Sequence, residues 1–91
     1  MMGERNRAVV VIDGGWIFAG DVTEERGRIY LDRAVWVFKW DRIGFSGVLA
    51  DPTAEGVDLR PMSTRVDIPC RSEIYRCPVG DDWGLQGVVC D

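Results

Sequence analysis

The sequence predicts a mainly β domain: a small antiparallel barrel or strongly curved sheet of five to six strands with at most one short helix. Three observations predict it. Short β-branched and aromatic runs recur along the chain, clearest in Val35-Trp36-Val37-Phe38-Lys39-Trp40. Clusters of Gly, Pro and Asp separate these runs, and the one stretch that breaks alternation, Asp41 to Ala50, is short. A chain of 91 residues has room for one hydrophobic core. Residues 1–91 are therefore expected to form a single domain, with flexible ends at 1–7 and 85–91.

The first strand is read at Ala8-Val-Val-Val-Ile12, a β-branched run ended by the turn residues Asp13-Gly14-Gly15. From Trp16 to Thr23 a second strand alternates, with Trp16 and Phe18 on one face and Ile17 and Ala19 on the other. Gly20 interrupts it, which marks a bulge or a close backbone approach. Glu24-Glu25-Arg26-Gly27 reads as the turn of a hairpin that returns through Arg28–Leu31. In Val35–Trp40 a period of two places Trp36, Phe38 and Trp40 on one face and Val35, Val37 and Lys39 on the other. Beyond it, Gly44 and Gly47 weaken any helix over Asp41–Ala50 and Asp51-Pro52 stops it, leaving a helical turn or an irregular lid. After the turn Thr53–Gly56 and a short Val57–Leu59 segment, two strands close the domain at Arg65–Ile68 and Glu73–Cys77, each followed by a Pro.

Composition excludes much chemistry. The chain contains no His, which removes Ser-His-Asp triads, Cys-His dyads and His-ligated zinc. Its net charge of −4 argues against general nucleic-acid binding, which needs a basic face. The N-terminal apolar run Ala8–Ile12 is too short for a signal-peptide core or a membrane span, so no membrane association and a cytoplasmic location are expected. Three cysteines, Cys70, Cys77 and Cys90, lack metal-ligand spacing and read as reduced, mostly buried thiols. Asp81-Asp82 and Glu24-Glu25 read as solvated turns rather than halves of a cation site. Asp13-Gly14-Gly15 lacks the Lys and Ser/Thr of a phosphate-binding loop and reads as a turn. No catalytic residue, metal or cofactor is expected.

Two features remain. Four Trp are many for a core this small, so one or two indoles are expected to stack on a ligand or fill a subunit interface. The cations are almost all Arg, Lys39 being the only lysine, and a guanidinium fork suits phosphate and carboxylate. Together they nominate a ligand site in which a base stacks on Trp16, Trp36, Trp40 or Trp83 while phosphates meet Arg33, Arg42, Arg60 and Arg65.

Ile17-Phe18-Ala19-Gly20, followed by Leu31-x-x-Ala34-x-x-Val37-Phe38-x-Trp40 and by Glu73-Ile-Tyr-Arg-Cys77-Pro78, resembles a family of short phage and prophage proteins of unassigned function. That family has a V-F-A-G strand, an L-x-x-A-x-x-I-W-Y-W strand, a small-residue helix and a closing strand near a P-C pair. Its Arg pair before the aromatic run is replaced here by Val35 and Trp36. The resemblance implies a phage-encoded accessory protein acting in the host cytoplasm. The expected function is non-enzymatic: a homo-oligomeric counter-defence protein that sequesters an anionic, nucleotide-like signal. The alternative is a protein-interaction module, either an inhibitor of a host protein or a virion-associated subunit, with the aromatic face as its interface.

Overall fold

The computed structural model describes residues 6–40 and 44–85. Its elements are β1 (Arg7–Ile12), β2 (Ile17–Glu25), β3 (Arg28–Lys39), α1 (Gly44–Ala50), β4 (Asp58–Pro61), β5 (Val66–Pro69) and β6 (Glu73–Pro78), with 3-10 turns at Asp13–Gly15 and Cys70–Ser72. All six strands pair antiparallel in one sheet, in the order β4-β3-β2-β1-β6, and β5 also pairs with β3. A mainly β, strongly curved sheet with one short helix is thus what the described residues form; among them the sheet does not close into a barrel.

Turn chemistry sets the hairpins. Glu25 pairs with Arg28, so the β2–β3 loop is the two residues Arg26 and Gly27, both at positive φ (55° and 78°). That backbone twist matches the strands it joins, and Gly27 adopts it without steric cost. Glu24 and Glu25, expected in the turn, are paired strand residues instead. The β1–β2 connection uses Gly14 and Gly15, also at positive φ.

Connectivity forces the curvature. β2 occupies one edge of β3, and β4 and β5 share the other, β4 along Val35–Lys39 and β5 along Arg28–Leu31. The chain then steps through Cys70–Ser72 from β5 to β6, which lies beyond β1. In a flat sheet those strands sit four spacings apart, about 19 Å. The four-residue step from Pro69 to Glu73 reaches at most about 14 Å, so the sheet must curl. Arg76 of β6 braces the curl by bonding Glu73 and reaching Glu24 on β2.

Each face of the curled sheet carries its own core. Inside the curl lie Ala8, Val10, Val22, Ile29, Leu31, Ala34 and Ile68; on the outer face Val9, Ala19, Val35, Val37, Val48 and Trp83 pack under α1 and the 80–85 turn. One strand serves both cores because it slips register. Asp21 pairs with Asp32 and Ala19 with Val35, so Arg33 and Ala34 together oppose the single residue Gly20. This is a β-bulge, with Arg33 at φ 49°. Ile29 and Leu31 face inward before it; Val35 and Val37 face outward after it. The separate strands read from the sequence at Arg28–Leu31 and Val35–Trp40 are therefore one twelve-residue strand.

Three further expectations need correction. Trp40 does not share a face with Trp36 and Phe38: the register slips again between Val37 and Lys39, and Trp40 packs on Phe45 of α1 on the outer face. Arg7, assigned to a flexible end, opens β1 and is only 2% exposed. Leu85, at the expected flexible C-terminal end, packs against the outer core, whereas residues 1–5 and 86–91 lie outside the described residues. If the two cores are both required, Ile29→Ala and Val35→Ala, one in each, should each lower unfolding free energy by about 1–4 kcal/mol. Chemical denaturation checks this, and Ile74→Ala on the surface should change it by less than about 0.5 kcal/mol.

Candidate functional site

Phe18 pairs directly with Trp36, so the two rings share the inner face, beyond the part that the curl covers. Trp16 leads into β2 on the same side. Its ring lies parallel to Phe18 (5°, centroids 6.3 Å apart) and 5.3 Å from Trp36, while Trp36 meets Phe38 edge-on at 4.7 Å. The row ends in a cation, with the Arg60 guanidinium 3.9 Å above the Phe38 ring. Arg60 arrives there because β4 pairs it with Trp36.

This row is exposed at both ends, Trp16 at 48% and Phe38 at 39%. Between them runs a shallow groove of about 270 Å³ whose walls are Trp16, Trp36 and Phe38 and whose rim is the Gly14–Gly15 backbone. A second shallow groove of about 340 Å³ adjoins it, formed by Ile12, Trp16, Phe18, Val66 and Pro69. Lys39 is exposed next to Phe38, and a third groove of about 290 Å³ includes it with Gly15 and Trp40. The arrangement offers π faces to a flat ring, with one cationic side chain at the end, Arg60, which also forks onto Asp58 at 3.1 and 3.3 Å. It offers no imidazole and no nucleophile–base pair.

The nominated residues divide between sites. Trp16, Trp36 and Arg60 come together at the aromatic row. Trp83 does not join them: it is 6% exposed in the outer core and its indole Nε1 donates to the Leu49 carbonyl at 2.9 Å. Trp40 lies on the outer face, as described above. Arg65 forks onto Asp32 at 2.8 and 3.1 Å and lies over Tyr30, away from the groove. Arg33 sits at the bulge, and Arg42 lies outside the described residues. Phe18 and Phe38 belong to the row, as does the glycine rim, which the sequence reads as a turn. No group of His, Cys, Asp or Glu among the described residues has metal-binding geometry.

Arg33 instead belongs to a polar knot on the outer face. Asp21 accepts from Arg33 Nε at 2.7 Å and Nη2 at 3.0 Å, and from Arg7 Nη1 at 3.3 Å. Both arginines then hold the C-terminal turn by its backbone, Arg7 Nε donating to the Trp83 carbonyl (2.8 Å) and Arg33 Nη2 to that of Asp81 (2.6 Å). Burial raises the Asp21 carboxyl's pKa, but the hydrogen bonds and charges of Arg33 and Arg7 outweigh that and leave it below its ordinary value. Glu73 is likewise held low, chiefly by its hydrogen bonds from Arg76.

Comparison of the chain with protein-family models, with curated proteins and with solved structures finds no match in any of the three.

Groups whose folded pKa is depressed stabilise the fold above their unfolded pKa and lose that contribution as pH falls through the folded one. Asp21 and Glu73 should therefore contribute fully above about pH 5 and progressively less below about pH 4. Melting temperature measured from pH 7 down to pH 2 should fall in that acid window. Asp21→Asn should melt lower than the parent at neutral pH and show a shallower acid slope.

Proposed function

We propose that the protein is a non-enzymatic binding module that captures a planar, anionic small molecule of the nucleotide class on the Trp16–Trp36–Phe38 row. The observation that carries this reading is the row of Trp16, Trp36 and Phe38 along one groove, with the Arg60 guanidinium, paired with Asp58, over the Phe38 ring. A base stacks on the indoles, and its charge lies toward Arg60. The resemblance to short phage proteins supplies the setting, sequestration of a nucleotide-like signal.

Size favours a small ligand over a protein partner. A fully covered aromatic ring contributes about 150–250 Å²; with Trp16 and Phe38 under half exposed and Trp36 and Phe18 less so, the row offers at most about 400 Å². A standard protein interface needs about 800 Å² per partner. The second reading, a protein interface, draws on the exposure of the row's end rings, Trp16 and Phe38.

Titration of linear and cyclic nucleotides, followed by Trp fluorescence and melting temperature, tests the first reading. Binding is expected to quench fluorescence, raise the melting temperature and weaken about tenfold or more in Trp16→Ala. Arg60→Gln should weaken a nucleotide more than the corresponding nucleoside. A chain that responds to no nucleotide, at protein concentrations where it is folded, contradicts the reading and leaves the interface alternative.

A further inference from the structure

Arg60, the cation at the end of the aromatic row, is already partly engaged. Asp58 stands two residues before it on β4, and its carboxylate accepts from Arg60 Nε at 3.3 Å and from Nη2 at 3.1 Å. That pairing takes the side edge of the guanidinium fork, while the Phe38 ring lies against one face of it, 3.9 Å away. The end edge, Nη1 with the outer hydrogen of Nη2, meets no acceptor among the described residues.

Lys39 is the cross-strand partner of Asp58. The hydrogen bond from Arg60, and then the charges of Arg60 and Lys39, hold the Asp58 carboxyl below its ordinary pKa, so it stays ionised at neutral pH. One carboxylate between two cations leaves this corner with a single net positive charge. The walls and rim of the groove itself, from Gly14 and Gly15 to Trp16, Trp36, Val37 and Phe38, add no further cation.

We propose, resting on the reading of the row as a nucleotide site, that its ligand carries one negative charge, a phosphodiester such as a cyclic monophosphate, and that Asp58 is the residue which turns terminal phosphates away. A diester has two unesterified oxygens that share one charge, which suits the single free edge of the Arg60 fork. A phosphomonoester carries close to two charges above its second pKa of about 6, and a triphosphate more. That extra charge finds no second free guanidinium in the groove and lies beside the Asp58 carboxylate instead, where like charges repel.

Fluorescence titration of the full chain with a nucleoside, its cyclic monophosphate and its triphosphate, at constant ionic strength and without divalent cations, tests the proposal. The cyclic form should bind more tightly than either of the others by about threefold to tenfold, the effect of one charge about 4 Å from another in water. Asp58→Asn should shift the ratio toward the triphosphate by a similar factor. The unmodified chain gives a second readout: the linear monophosphate should bind more tightly at about pH 5 than at about pH 8, as its phosphate falls to one charge, while the cyclic form binds alike at both. Around the row the charged groups among the described residues are Asp13 in the glycine turn, Lys39 on β3, and Asp58 and Arg60 on β4; the chain has no His, so it is the ligand that titrates in this range. A triphosphate or a nucleoside that binds as tightly as the cyclic form, a ratio unmoved by Asp58→Asn, or a linear monophosphate indifferent to pH overturns the proposal and leaves the aromatic site standing. Binding of none of these ligands defeats the nucleotide reading and the proposal together.

Discussion

The bulge in β3 opposite Gly20 is the constraint on which the rest of the molecule depends. A regular strand from Arg28 to Lys39 would send Ile29, Leu31, Val35 and Val37 to one side and Ala34, Trp36 and Phe38 to the other. With Arg33 and Ala34 sharing one place in the ladder, the same strand supplies aliphatic residues to both faces. The slip also turns Trp36 and Phe38 onto the inner face, where Trp16 and Phe18 already stand. Gly20 makes room for this: a Cβ there would sit 2.7 Å from the Leu31 Cβ, too close without a shift, and a tight 3.1 Å from the Asp32 carbonyl oxygen.

Charge holds the bulge in place. Arg33 pays for its left-handed backbone by forking onto Asp21, the residue after Gly20 on the facing strand. Asp21 in turn seats the buried Arg7, and the two arginines bind the turn that brings Trp83 onto the outer core. Breaking a buried ion pair by removing one partner typically costs about 3–5 kcal/mol, because a buried charge is left alone. The other paired arginines, Arg28, Arg60, Arg65 and Arg76, also have carboxylate partners. Those of Arg28, Arg60 and Arg65 are exposed and individually contribute little. An Arg-rich composition in an acidic chain is thus largely a network of internal pairs, and Arg60 is the described nominee that also stands at an aromatic groove.

Strand content, turn positions and the special status of Gly20 were legible because they are local. Alternation found β1, β2 and both halves of β3, and Gly27 located the hairpin, although its turn is Arg26-Gly27 and not the four residues Glu24–Gly27. Alternation could not reveal a one-residue slip, because a bulge needs the partner strand to define it. For that reason Trp40 was placed with Trp36 and Phe38, although a second slip carries it to Phe45. Trp83 and Arg7 were misjudged for a related reason. Each is buried by a contact across most of the chain, Arg7 to Trp83 being 76 residues apart, and near the ends of a sequence such contacts leave no periodic signal.

The most direct measurement of the central claim is the unfolding free energy and near-UV circular dichroism of Gly20→Ala. The added methyl group meets Leu31 and Asp32 at the bulge. The account predicts a loss of about 1–3 kcal/mol or more, together with a weakened aromatic signal as Trp36 shifts against Trp16. A variant with wild-type stability and an unchanged aromatic spectrum would contradict it.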